Sequence, residues 1–416
     1  MAQAGIGYRG WWVLAGLFFL YCASNGIFMH SLPLIYPRLM EDFDWSEVQV
    51  TLPATVFYVV SAVTSPPAGV LLDRYSSRHI MLTGAAGLVI ALVCLSQVQA
   101  LWQMVAVYVL IGAALSLTGL VSNVLVVSRW FNQYRGRAIG ILLMASSLGG
   151  VVFPQFMGVT LESHGWRMTL LMLAGIATVL MILPLMFLVR NSPADYGLLP
   201  DGASAPPDAP LATAPATGPR LAEALRQKNF YLLALATAAV FFTVIALTQH
   251  QSIHLGRDLG VPGPTLATVF SVFFGASVVG KLLFGFLGDH FRRDRVMIVS
   301  IAVLMAGLLL LRWQDGQSQA GLMAYAVVAG IGFSGAFTSI QVLVAGYFAG
   351  PSFGKILAVI ILFDTLAGAL GTRVIGGLRE ATGSYLPALD LMMGVCALAI
   401  LALGLLGFSS PTNERK

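Results

Sequence analysis

Gly285, Phe286, Leu287, Gly288, Asp289, His290, Phe291, Arg292, Arg293, Asp294, Arg295 restates in kind an earlier stretch, Gly69, Val70, Leu71, Leu72, Asp73, Arg74, Tyr75, Ser76, Ser77, Arg78, His79. In each, an apolar run meets a glycine, then an aspartate, then a cluster of bases, and the two aspartates stand 289 − 73 = 216 residues apart. In a chain of 416 residues that offset means one unit present twice.

The composition says what kind of unit. Hydrophobic residues make up 57% of the chain and charged residues 10%, and the mean hydropathy is +0.84. A soluble domain carries about 45–50% apolar and about 25% charged residues, so this chain crosses a membrane many times. Windows long enough to span a hydrocarbon core of about 30 Å as helices lie near 11–34, 48–72, 79–98, 101–128, 138–160, 168–189, 229–253, 264–288, 296–313, 320–345, 355–377 and 386–408, twelve in all. The expected fold is all-α and integral to the membrane, with pseudo-symmetric six-helix bundles at 1–190 and 229–416 joined by a cytoplasmic linker at 191–228. That linker contains Ala203, Ser204, Ala205, Pro206, Pro207, Asp208, Ala209, Pro210 and stays rich in Ala, Thr and Pro up to Arg220. Such a composition buries too little apolar surface to fold and reads as flexible. Leu221 to Lys228 reads as a short surface helix leading into the second half.

The bases set the expected orientation. With both termini inside, 16 of the 23 Lys and Arg residues face the cytoplasm, six face outward (Arg38, Arg167, Arg257, Arg312, Arg373 and Arg379), and Lys281 stays within the membrane. The basic pI of about 9.2 is thus a topology signal, and nucleic acid is not an expected partner. Cys22, Cys94 and Cys396 fall inside spans and are too scattered for a redox or metal motif. The first span begins at Trp11 without a small-residue cleavage site and reads as a retained helix rather than a signal peptide.

Polar groups along the spans are the candidates for function. Asn25, Gly26 and His30 lie in the outer part of the first helix, Tyr58 stands among small residues in the second, and Pro66 and Pro67 must bend that helix before Asp73. In the loop at 69–79, Asp73 with Arg74 and Arg78 can hold a carboxylate against bases and helix ends, a contact that forms in one conformation and breaks in another. Asp289, Arg292 and Arg293 repeat it; the simpler reading of both is a solvated turn obeying the positive-inside rule. Ser128 to Gly140 carries Arg129, Arg135 and Arg137 between the fourth and fifth helices, and Ser146, Ser147, Gly149, Gly150, Pro154 and Gln155 follow. Small residues there let helices approach closely in lipid. The second half echoes this with Tyr347, Phe348, Gly354, Lys355 and then Gly371, Gly376, Glu380 and Gly383; the last three stand 218 residues after Gly158, Glu162 and Gly165.

Paired Gly-x-x-x-Asp-basic loops, two six-helix halves and a long central linker resemble the major facilitator superfamily over essentially the whole chain. Tyr8 to Trp12, the run Arg129 to Gly140, and Gly149 and Gly150 before Pro154 are similar to its monocarboxylate transporter branch, which includes bacterial oxalate/formate-type relatives. The resemblance implies alternating access for a small organic anion, often with a proton or in exchange for another anion, and with the compact loops it implies the inner membrane of a bacterium.

Charges at mid-membrane sharpen this. Lys281 lies 289 − 281 = 8 residues before Asp289, or roughly 12 Å deep, and Asp364 lies 364 − 354 = 10 residues past Gly354, or roughly 15 Å deep. The resemblance places their helices beside the cavity and puts Lys281 where that branch commonly carries a cation, usually arginine, for the substrate carboxylate. The branch's eukaryotic members set an acid one turn before that cation, where this chain has Ser277, and a lysine in the first helix, which this chain lacks. Asp364 is the carboxylate available instead. The expectation is that Asp364 neutralises Lys281 in the empty site, that the substrate carboxylate competes for the lysine, and that Asp364 then takes a proton. The alternative is a static buried pair. Gln249, His250 and Gln251 on the seventh helix read as a polar cluster near the outer mouth, with His250 a candidate contact for substrate or proton and a wet helix end as the simpler reading, and Arg373 reaches the outer surface or serves as an outer gate cation.

No Gly-x4-Gly-Lys-Ser/Thr loop occurs, so transport draws on gradients, and neither an enzymatic nucleophile nor a cofactor or metal constellation is visible. The expected partners are a small organic anion, a proton or counter-anion, and the lipid, with the protein a monomer. An exchanger, an exporter of hydrophobic compounds and a non-transporting membrane sensor are the rival readings.

Overall fold

Hydrocarbon offers no partner for a bare N–H or C=O, and a helix satisfies both within one segment, so apolar runs of this length fold as helices. The structure, a computed structural model, describes residues 8–202, 220–348 and 352–409, with side chains for all of these except 73, 289, 341–342, 345–346, 353–354 and 407–409. Asp73 and Asp289, the expected switch acids, lie outside the described side chains.

Among the described residues, eleven segments are long and apolar enough to cross a membrane. Arg135–Phe187 has 53 residues, more than twice the roughly 20 that one crossing needs. It turns at Gly165, whose φ of 73° lies in the left-handed region open to a residue without a Cβ. The two windows read from sequence as 138–160 and 168–189 are thus the arms of one elbow, and the described residues form twelve membrane-length helices. They are α1 (Arg9–Phe43), α2 (Glu47–Arg74), α3 (Ser77–Ser96), α4 (Leu101–Trp130), α5 and α6 (135–164 and 166–187), α7 (Lys228–Asp258), α8 (Gly263–His290), α9 (Arg293–Arg312), α10 (Gln319–Phe348), α11 (Phe353–Thr382) and α12 (Leu386–Ser409). Two compact units result: one takes α1–α6 with residues 262–271 at the start of α8, and the other takes α7, the rest of α8 and α9–α12.

In the first unit, helices meet backbone to backbone where side chains vanish. A Cβ at Gly26 would stand 2.6 Å from Gly149 Cα, and one at Gly149 would overlap the Cys22 carbonyl oxygen, so α1 and α5 touch through two glycines. Hydroxyls join α2 to α4, with Thr64 Oγ1 2.8 Å from Ser116 Oγ. Two irregular stretches interrupt the helices. Residues Gly26–Ser31 of α1 form a π-helical turn, closed by a hydrogen bond of 2.6 Å from Ser31 Oγ to the Gly26 carbonyl. Helix α4 breaks at Gly119 (ψ −166°), and Asn123 Nδ2 donates to the carbonyls of Thr118 and Gly119 at 2.7 and 2.8 Å.

The first part of the segment assigned to the linker is folded. Residues Pro193–Tyr196 and Pro200–Gly202 form short 3₁₀ turns. Asp201, with φ 58°, accepts hydrogen bonds at 2.9 and 2.7 Å from the N–H groups of Asn132 and Gln133 in the α4–α5 loop. Tyr8 hydroxyl donates to the carbonyls of Trp130 and Leu199, and the Arg9 guanidinium covers the Tyr196 ring at 4.1 Å. Pro and Gly punctuate tight turns here, and a carboxylate anchors them.

The second unit repeats the glycine contacts. A Cβ at Gly368 or Gly371 of α11 would press on Ile245 or on the Phe242 carbonyl of α7, and one at Gly280 of α8 would press on Ser334 and Ile331 of α10. Helices α7 with α11 and α8 with α10 are therefore packed pairs.

Replacing Gly149 with valine will overfill the α1–α5 contact and cost about 1–3 kcal/mol, whereas Gly140→Ala, in open space, will change stability by about 1 kcal/mol or less, and in the stabilising direction; thermal unfolding of the purified protein distinguishes them. Asp201→Ala will remove two charge-assisted hydrogen bonds worth about 1.5–3 kcal/mol each, and hydrogen exchange will show faster exchange of the Asn132 and Gln133 amides with the helix cores unchanged.

Candidate functional site

An ionisable side chain in the middle of a bilayer-spanning helix is costly and marks a pathway or a partner. Two stand out in the second unit. Lys281 is half-buried on α8, 290 − 281 = 9 residues from its end, or roughly 14 Å along the axis. Asp364 is 1% exposed on α11, 364 − 353 = 11 residues from its start, or roughly 16 Å along the axis.

The ion pair expected between them is not formed. Neither carboxylate oxygen of Asp364 receives a hydrogen bond from a described residue. The side chain lies beside Thr237 of α7, whose buried hydroxyl donates instead to the Ala234 carbonyl at 3.2 Å. Asp364 lies on the α7–α11 seam, one turn before Gly368, while Lys281 is on α8, which packs on α10 through Gly280. Ser277, one turn before Lys281, is buried and its hydroxyl donates to the Phe274 carbonyl at 2.7 Å.

The end of α7 that carries Gln249 and His250 is not exposed, so the simpler reading of a wet helix end does not hold. Both are buried, at 4% and 2% exposure. His250 Nε2 lies 2.9 Å from the Thr372 carbonyl oxygen and its Nδ1 lies 2.8 Å from the Tyr385 hydroxyl. The carbonyl can only accept, so Nε2 carries the proton and the tyrosine donates to Nδ1. Such a histidine, satisfied on both nitrogens, ties α7 to α11 and to the α11–α12 turn. Arg379 extends the tie with two hydrogen bonds to Asp258, at 2.8 and 3.2 Å. Asp258 also lies 3.5 Å from His254 Nδ1. Deeper in the membrane, the Tyr325 hydroxyl of α10 donates to Gln251 Oε1 at 2.6 Å, and Gln251 Nε2 is buried without a partner among the described residues.

Arg373 is exposed. The other three expected substrate contacts belong to the first unit. Asn25 Nδ2 donates to the Tyr21 carbonyl at 3.3 Å just before the π-helical turn, Tyr58 is buried, and Gln155 Nε2 donates to Thr268 Oγ1 at 3.3 Å.

Three of the bases of the expected switch, Arg78, Arg129 and Arg135, bind helix ends. Arg78 Nε donates to the Leu185 carbonyl at the end of α6 at 2.9 Å, and Arg129 donates to Ser77 Oγ and, at 3.5 Å, to the Leu72 carbonyl. Arg135 donates to the carbonyls of Ser128 and Phe131, and Arg137 lies over the Tyr134 ring. Cations at helix C-termini meet both the orphan carbonyls and the negative end of the dipole. Arg292 makes a two-pronged pair with Asp294, while Arg74 and Arg293 are exposed. Sequence reasoning missed Thr237, Tyr325 and Tyr385, because a hydroxyl in an apolar helix carries no signal until its partner is known.

Relatives agree with this architecture. Bovine (Bos taurus) monocarboxylate transporter 13 is 24% identical over 388 residues, covering 92% of this chain and 86% of that protein. Human (Homo sapiens) monocarboxylate transporter 11 is 26% identical over 398 residues, covering 90% of this chain and 78% of that one. The crystal structure of a bacterial homolog of the human lysosomal transporter Spinster, inward-facing and occupied, superposes with a TM-score of 0.73 at 17% identity over 96% of each chain. Residues 14–253 and 250–416 match the family profile of the Major Facilitator Superfamily, and the chain belongs to that family of transporters.

Proposed function

We propose that this protein is a secondary active transporter that carries a small organic anion, a monocarboxylate, across the bacterial inner membrane together with a proton, working as a monomer with both termini in the cytoplasm. The observation that carries the reading is Lys281, a half-buried base in the middle of an apolar helix. An ammonium there attracts an anion as a point charge, and a permeating carboxylate offsets its desolvation as no apolar substrate does.

Asp364 is the proton carrier in this reading. An acid that takes and releases a proton in each cycle must not be held in a permanent ion pair, and its oxygens are not hydrogen-bonded to Lys281. Anion and proton then cross together: the carboxylate occupies the lysine, Asp364 is protonated, and the site loses net charge before it changes the side it opens to. The relatives named as monocarboxylate transporters support the substrate class, and the basic loops support the orientation.

The test is uptake of labelled lactate, pyruvate, oxalate and larger branched or aromatic acids into proteoliposomes, with and without an inward proton gradient. Accumulation of a monocarboxylate that rises as the outer pH falls is expected. Accumulation only against a preloaded anion would make the protein an exchanger, and no anion uptake would overturn the reading.

Substitutions separate the two roles. Lys281→Ala will lower uptake at least about tenfold, the loss of roughly 1.4 kcal/mol of transition-state stabilisation, and Lys281→Arg will keep part of it. Asp364→Asn will abolish gradient-driven accumulation and its pH dependence while leaving anion counterflow. Unchanged transport by Lys281→Ala would end the proposal.

A further inference from the structure

The basic stretch that follows Asp289 also shapes a groove apart from Lys281 and Asp364. Where α8 ends and α9 begins, a cavity of about 430 Å³ opens between the helices. Leu287, Val296 and Val299 form its apolar wall, and Phe291, 62% exposed, stands beside it. Arg292, Arg295 and His290 line the rest. The apolar spans stop at Gly288 and resume at Arg293, so the groove straddles the boundary between hydrocarbon and water.

Its charges are cancelled only in part. Asp294 neutralises Arg292 through bonds of 3.2 and 2.8 Å. Arg295 is exposed, and no described residue accepts a hydrogen bond or ion pair from it. His290 Nδ1 donates to the Phe286 carbonyl at 2.9 Å, and its ring lies against the Phe286 ring. An apolar slot with an uncompensated guanidinium at its mouth, placed at headgroup depth, matches an acyl chain continued by an anionic headgroup.

We propose that this groove binds an anionic phospholipid, with the acyl chain along Val296 and Val299 and the phosphate at Arg295. A zwitterionic lipid offers the same chain but brings its own cation to the guanidinium, so the groove selects for net negative charge. The site lies outside the Lys281 and Asp364 region and stands independently of the substrate assigned there.

Native mass spectrometry of the purified full chain in detergent, titrated with dioleoylphosphatidylglycerol or dioleoylphosphatidylcholine, tests it. The anionic lipid will form the more abundant first adduct. Arg295→Gln will weaken that adduct about fivefold, equivalent to about 1 kcal/mol for one base, and will leave the zwitterionic adduct unchanged. Val299→Asn will weaken both lipids, whereas Arg226→Gln, an exposed base on the segment before α7, will weaken neither. Equal binding of the two lipids, an unchanged adduct in a folded Arg295→Gln protein, or complete displacement by millimolar inorganic phosphate would overturn the proposal, the last by showing an anion site without lipid character.

Discussion

Hydrocarbon accepts no hydrogen bonds, and the rest of this structure follows from that constraint. The backbone answers by being helical throughout the crossings, and each place where it cannot be helical is repaired from nearby. Asn123 adds side-chain bonds to the carbonyls of Thr118 and Gly119 at the break in α4, and Ser31 adds one to the Gly26 carbonyl in the π-helical turn of α1. The π-helical turn that ends α7, residues His254–Asp258, is held by the two bonds from Arg379. Such irregular turns are uncommon and concentrate at sites where a helix must bend or a group must be aimed. Their repair by short-range polar bonds lets a helix bend within lipid without exposing its ladder.

The same constraint removes the usual force between helices. Lipid is as apolar as leucine, so packing rather than water exclusion brings them together, and packing is closest where a glycine removes the side chain. Gly26 against Gly149 does this in the first unit, and Gly368 and Gly371 against α7 do it in the second. Polar bonds then lock what glycine brings near. On the α7–α11 seam the lock is His250, bonded to a carbonyl on one side and a tyrosine on the other.

Legibility in the sequence tracked the range of each interaction. The twelve crossings and the twofold repeat are properties of local composition and of spacing along the chain, and they were readable. The elbow at Gly165 was half readable, as two windows with a gap, because only the positive φ reveals that the gap is a single residue. The bonds of His250 could not be read, because its partners, Thr372 and Tyr385, are 122 and 135 residues away in sequence. The folded start of the linker was hidden for a similar reason: Pro193, Gly197 and Pro200 look the same in a disordered segment as in a string of turns. What distinguishes them is Asp201, whose partners are 68 and 69 residues earlier. For Lys281 and Asp364, depth could be counted along each helix, but the direction in which each side chain leaves its helix depends on which neighbour the helix packs against.

That direction bears on mechanism. Lys281 rides on the helix packed against α10, and Asp364 on the helix packed against α7. Two charges on one rigid pair of helices would form a fixed ion pair, costly to desolvate and useless for exchanging partners. Charges on separate pairs can approach or part as the pairs shift by small amounts, because packed helices slide between discrete arrangements rather than deform. A buried carboxyl left without a hydrogen bond is among the most expensive features a membrane protein can keep. Its persistence on the tightly packed α7–α11 seam is hard to explain by packing, since an apolar residue of similar size would serve that seam better. The position makes sense if the group is neutral in part of a cycle and charged in another, with a partner that arrives only when the helices move or when a substrate brings its own charge.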